Sequence, residues 1–284
     1  MKFAMFRKLT GTWAALLACG VVFAGSSQGW AQESTFRDIF RKYVKEQGSK
    51  NTVPVPVPVP NPVALEYTVL LLDANGKERP VDPNSFQFKI GDQIRVQIQP
   101  LNDLYIYIFH EGASGNQHCL LPDSNTNEKA PKALASKVLK LPEDGYLEFG
   151  APPGDEKLIV VATEEPIQEM SLLNNVVFKK PEEELTKEEK EVAAKLRASH
   201  TKSLKNIRDR QASNVTYRGI LSEAAMKKIQ AEASSGTTTR SVTLEEPPTK
   251  ENPSTFAMSS GKTKEDSRLL VNIPLRSAAP NNNK

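Results

Sequence analysis

The chain has 284 residues, 38% hydrophobic and 25% charged, a globular balance that excludes a fully disordered or fibrous protein. Its net charge of +3 disappears once the first 31 residues are set aside, because Lys2, Arg7 and Lys8 lie there with no acidic partner. The remainder is neutral overall, and the apparent basicity is no argument for nucleic-acid binding.

Those first residues have the layout of a secretory signal peptide. A basic start leads into the twelve-residue apolar run Trp13–Ala24, and small residues follow at Gly29 and Ala31. Cleavage is expected after Ala31, with Ala24 the second position. The run is too short to span a bilayer comfortably, so no transmembrane span is expected after cleavage. Leu16-Leu17-Ala18-Cys19 also fits a lipidated cysteine, but Val21-Val22-Phe23-Ala24 continues the apolar run beyond it. The expected localisation is exported: periplasm, cell envelope or extracellular space. Cleavage removes Trp13, Trp30 and Cys19, leaving Cys119 as a lone thiol that cannot close an intramolecular disulfide.

Residues 32–50 read as an amphipathic helix. Phe36, Ile39, Phe40, Tyr43 and Val44 recur at i, i+3, i+4, i+7 and i+8. Thr35 and Asp38 fit an N-terminal capping pattern, and Gly48-Ser49 ends the helix. Arg37, Arg41, Lys42 and Lys45 occupy the other face. The apolar stripe is the candidate partner-binding surface, for an envelope protein or a membrane surface. The plainer alternative is that the helix folds back onto its own domain. Residues 51–63 contain Val53-Pro54-Val55-Pro56-Val57-Pro58-Val59-Pro60, a polyproline linker. At ~3.1 Å per residue it is a rod of roughly 30 Å, and its alternate prolines lack the Pro-x-x-Pro spacing of an SH3 ligand.

From residue 64 the apolar period shortens to two. Leu65–Leu72, Ser85–Ile90 and Ile94–Ile98 read as strands, closed by Asp73-Ala74-Asn75-Gly76 and Gly91-Asp92. Leu104–Phe109 sets Tyr105, Tyr107 and Phe109 on one face and Ile106 and Ile108 on the other, as a strand covered on both sides requires. Further strands are expected near Cys119–Leu121, Lys137–Leu141, Tyr146–Phe149 and Leu158–Thr163. Residues 181–236 read as a helical insertion in two stretches, the first opened by Pro181-Glu182-Glu183-Glu184 and the second over Ile220–Ala233. Strands return at Ser241–Glu245, Thr255–Met258 and Leu269–Leu275, within a closing segment 237–277, and residues 278–284 form a disordered tail. The fold expected is mainly β: an antiparallel immunoglobulin-like β-sandwich over 64–180, a helical insertion and an N-terminal amphipathic helix on a polyproline spacer.

Chemistry is sparse. His110, His118 and Cys119 are close in sequence, but no fourth ligand has metal-site spacing, and the pattern equally suits two histidines flanking a hairpin. Phosphate-loop, His-Glu-x-x-His and Cys-x-x-Cys motifs are absent from the sequence, and beyond residue 31 so is the nucleophile-elbow motif. No catalytic, cofactor-binding or metal residues are assigned, and no enzyme is expected.

Phe88-Lys89-Ile90-Gly91-Asp92-Gln93-Ile94-Arg95-Val96, then Leu104–Phe109, Gly115 and Leu120-Leu121-Pro122 together resemble domain of unknown function 4384. In that family a Phe-x-x-Gly-Asp-x-(Ile/Val)-Arg strand pair precedes a Tyr-rich central strand and a Leu-(Phe/Leu)-Pro turn. Leu141-Pro142 and Pro152-Pro153-Gly154-Asp155-Glu156-Lys157-Leu158 extend the resemblance over about residues 85–170. It implies an exported or envelope β-domain, often attached to other modules, with no established activity. The sequence thus suggests an exported, non-enzymatic interaction or adaptor domain; the alternative is a β-sandwich module that binds polysaccharide or cell wall.

Overall fold

The computed structural model of the chain describes residues 2–4, 37, 38, 41, 62–122, 131–173, 184–219, 241–261 and 263–278. The spacer up to Asn61, the helical stretch expected over 220–233 and residues 279–284 lie outside the described residues.

In chain order the elements are β1 (Lys2–Ala4), β2 (Val63–Leu72), β3 (Glu78–Val81), β4 (Phe88–Lys89), β5 (Gln93–Pro100), β6 (Leu104–Glu111) and β7 (Gln117–Leu121). There follow β8 (Lys132–Ala133), β9 (Leu139–Leu141), β10 (Tyr146–Glu148), β11 (Asp155–Thr163), α1 (Gln168–Leu173) and α2 (Lys187–Ala212). The chain closes with β12 (Val215–Arg218), β13 (Val242–Glu246), β14 (Thr255–Ser260) and β15 (Leu269–Ala278).

The protein is mainly β. Among the described residues a first, nine-stranded sheet runs β1-β10-β5-β2-β14-β13-β12, with β3 on β2 and β9 on β5. A second, six-stranded sheet runs β4-β15-β11-β6-β7, with β8 on β6. Both are mixed, which corrects the expectation of a purely antiparallel frame: β12 lies parallel to β13, and β15 parallel to β4. Neither pair is joined by a hairpin, so no tight turn forces the strands to run opposite ways.

The sheets pack face to face. Leu65, Tyr67 and Val69 of β2 and Ile94, Val96 and Ile98 of β5 meet Ile106, Ile108, Leu158, Val160 and Ile273 of the second sheet. On β5 these residues alternate with half-buried Gln93, Arg95 and Gln97, the period-two pattern of a strand with one buried face. Phe88 stacks on Phe149 with centroids 4.6 Å apart, closing one end of this core.

A second core lies on the far side of the second sheet. Tyr107, Phe109, Ile159, Val161 and Leu270 pack there against Met170 of α1 and Ala193, Leu204 and Ile207 of α2. This explains the two apolar faces of β6: Ile106 and Ile108 point between the sheets, and Tyr107 and Phe109 point at the helices. Tyr105 is only half-buried. The helix after Pro181 begins at Lys187, because Thr186 caps it: its hydroxyl accepts the Glu189 N–H while the Glu189 carboxylate accepts the Thr186 N–H. Lys195, Arg197, Lys202, Lys205 and Arg208 lie on its exposed side. β12 falls within the helical insertion expected over 181–236, between its two helical stretches.

Candidate functional site

Phe36, Ile39, Phe40, Tyr43 and Val44 lie outside the described residues. Their neighbours Arg37, Asp38 and Arg41 are described, and the side chains of Arg37 and Arg41 contact the body. The seat is the outer face of the first sheet. On β2, odd residues from Val63 to Leu71 point into the core, so Ala64 and Glu66 point outward. Register then lines up two rows across β2, β14 and β13: Ala64, Met258 and Leu244, and next to it Glu66, Phe256 and Glu246. All six are buried, although none belongs to either core.

Two carboxylates therefore flank Phe256 on a covered sheet face, and Arg37 answers both. Its side chain is 4% exposed; Nη2 donates to the Glu246 carbonyl at 3.2 Å, and Nε stands 3.5 Å from Glu246 Oε2 and 3.9 Å from Glu66 Oε1. Arg41 Nη2 donates to Glu66 Oε2. Burial pulls the Arg37 guanidinium below its ordinary value, and Glu66 and Glu246 pull the other way. A buried cation bracketed by two carboxylates is the arrangement that lets such charges leave water together. Glu66 and Glu246 escaped the sequence reading. The available signals were a glutamate inside the apolar run Leu65–Leu72 and a second one just before Pro247-Pro248.

The histidines occupy one end of the second sheet. His110 and His118 are directly opposite across β6 and β7, with rings stacked 6.2 Å apart. His110 turns to Glu156 of β11, Nε2 to Oε2 2.6 Å, with both side chains buried. Burial alone would raise the Glu156 carboxyl, but the His110 hydrogen bond and charge outweigh it and hold the group below its usual range. Burial and the neighbouring His110 lower His118. Cys119 is half-buried, its Sγ 3.4 Å from the Pro122 carbonyl. Among the described residues no group of three or more His, Cys, Asp or Glu side chains is placed to hold a metal ion.

A cleft of about 440 Å³ opens at the side of the sandwich, between β13 and β14 of the first sheet and β15 of the second. Asp82, Arg218, Thr243, Glu245, Thr255 and Asn272 are among its polar lining residues. Arg218 pairs with Glu245 at 3.4 Å, and Asp82 is engaged by the Asn84 N–H and the Ser85 hydroxyl. The Tyr67 phenol is buried behind Thr255 and pushed up to about 12, chiefly by that burial. Asp82 and Glu245 thus both take part in local contacts. Among the described residues no helix is long and apolar enough to cross a membrane.

The residues of the family-like motif form the frame. Gly91 turns β4 into β5 with φ +90°, a left-handed conformation that favours glycine, and Asp92 Oδ2 accepts the Lys89 N–H at 2.8 Å across that turn. A Cβ on Gly154 would meet the Ala113 Cβ at 2.5 Å, so the turn before β11 can approach the β6–β7 hairpin only without a side chain. No curated protein and no solved structure matches the chain. Residues 87–166, from β4 through β11, match the family model described as a domain of unknown function, DUF4384, the family that these motifs resemble.

Proposed function

We propose that the protein is an exported, non-enzymatic interaction or adaptor domain of the cell envelope or periplasm. In this reading its body is an immunoglobulin-like sandwich, and its N-terminal helix, with Phe36, Ile39, Phe40, Tyr43 and Val44, is the docking element. The observation that carries the reading is the charged joint between Arg37 and the pair Glu66 and Glu246. Charges that regain water on separation make a reversible contact, unlike an apolar core. The leader-like first 31 residues agree with it. The test is recovery of the chain with its native envelope fraction, comparing wild type with a Phe36→Ala/Phe40→Ala double variant. Loss of recovery supports the reading; equal recovery moves binding elsewhere on the molecule.

The polar cleft favours a second reading, a polysaccharide- or cell-wall-binding module. Its volume suits a small saccharide, and its hydroxyl, carboxamide and charged groups are the donors and acceptors such a ligand needs. Retention on insoluble cell-wall polysaccharide, lost in Thr243→Val and Asn272→Ala variants, is the expected outcome.

A further inference from the structure

We propose that the exposed face of α2 is a self-complementary surface, through which two copies of the chain pair antiparallel about a two-fold axis. Ala193, His200, Leu204 and Ile207 are the buried residues of α2 and mark the side turned to the second sheet. At about 100° per residue, Glu191 and Lys202 stand opposite that side, about three turns apart along the helix, and both are exposed. Glu188 and Lys205 are exposed as well, each about one turn farther out toward its end of the helix.

The charges on this face are segregated and share one centre. The glutamates lie toward the N-terminus and the lysines toward the C-terminus. The point between Leu196 and Arg197 is midway between Glu191 and Lys202, and also midway between Glu188 and Lys205. A two-fold axis through that point sets Glu191 of each copy against Lys202 of the other, and Glu188 against Lys205. Glu188 and Lys205 lie on opposite flanks of the row, so the helices cross at an angle rather than run strictly side by side. Ala194, Ala198 and Ser199 are exposed and short at the crossing, and Ala198 falls opposite Lys195, leaving room for it. Lys205 also holds Asp209 of its own helix at 2.6 Å, and the donors of one ammonium can serve both carboxylates. A uniformly anionic surface such as a bilayer would meet Glu188 and Glu191 with like charge, whereas a second copy answers both signs. Exposed ion pairs are individually weak and screened by salt, so the association is reversible. The pairing does not rest on the adaptor reading. Its consequence for that reading is avidity, since two bodies held together offer two docking elements to one target.

Sedimentation of the full chain over a concentration series tests this. Wild type should pass from monomer to dimer as its concentration rises. Raising salt from ~50 mM to ~500 mM should weaken the dimer at least ~10-fold, since screening shortens the reach of exposed charges. Glu188→Lys/Glu191→Lys makes the row basic, and Lys202→Glu/Lys205→Glu makes it acidic. Each variant alone should stay monomeric where wild type pairs, and an equimolar mixture of the two should form a mixed dimer. Circular dichroism checks the folding of each variant; if either is misfolded, the wild-type salt series decides alone. A wild type that is monomeric throughout the series, a dimer indifferent to salt, or variants that pair as well separately as mixed overturns the proposal. A monomeric wild type that floats with phosphatidylglycerol vesicles assigns the lysines to a lipid surface and overturns the pairing as well.

Discussion

His110 Nε2 lies 2.6 Å from Glu156 Oε2 where both side chains are about nineteen-twentieths buried, and the His118 ring stacks beside them. The Glu156 carboxyl is held below the ordinary 4.5 in the fold, so its contribution is present above that pH and is lost as pH falls through its folded value. His118 is also lowered, from 6.5, so the fold favours its neutral form. That contribution is complete above pH 6.5 and is lost as the solution acidifies below it. Melting temperature should therefore fall in two stages between pH 7 and pH 4. His118→Gln should flatten the upper stage and Glu156→Gln the lower one, the latter losing about 1–3 kcal/mol at pH 7. A wild-type melt that is flat from pH 7 to 5 would remove His118 from this account.

Tyr107 joins the second sheet to α1. Its phenol accepts the Ile167 N–H at 2.8 Å and lies 3.2 Å from the Ser171 hydroxyl, while its ring fills the core beneath the helices. Tyr107→Ala should cost on the order of 3 kcal/mol or more in urea denaturation. Tyr107→Phe keeps the ring and leaves the Ile167 N–H without this acceptor, for about 1–2 kcal/mol. A neutral Tyr107→Phe would show that another group takes that proton.

The start of α2 depends on one side chain. Thr186→Ala removes the oxygen that accepts the Glu189 N–H at 3.2 Å and should cost about 1 kcal/mol. Thr186→Asp should restore it, since aspartate caps equally well and its charge suits the helix N-terminus. If Thr186→Asp is as damaged as Thr186→Ala, the hydroxyl acts through some contact other than the cap.

Arg37→Ala leaves Glu66 and Glu246 facing each other across Phe256 without their shared cation. Chemical denaturation should show a loss of about 2–4 kcal/mol. Adding Glu66→Gln and Glu246→Gln to that variant should recover part of it, because neutral amides relieve the stranded charge. Further loss on adding the amides would mean that the carboxylates stabilise the sheet by themselves.

Much of the frame was legible in the residues, because strands with one wet face carry their period openly. β5 alternates, β6 is apolar on both faces, and the closing strands fall where Thr255–Met258 and Leu269–Leu275 place them. β3 was not legible: Glu78-Arg79-Pro80-Val81 is polar and holds a proline, which only the edge of a ladder tolerates. The two parallel pairings were hidden for a different reason, since periodicity says which face a residue takes and nothing about the direction of its neighbour. The joint on the outer face was the hardest to foresee. Arg37 reads as a solvated cation until Glu246, 209 residues away, is brought beside it by the register of β13 on β14 and of β14 on β2.

β15 is the last of the described strands, yet it lies inside the second sheet, bonded to β11 on one side and β4 on the other, with side chains facing both cores. The second sheet is therefore incomplete until residues 269–278 have been made and are free to insert. A chain emerging from the ribosome therefore has no finished second sheet until its closing segment has been made. Synthesis and completion of the fold are kept apart in time by the position of one strand, and a chain cut short before Leu269 leaves β11 with an unpaired edge.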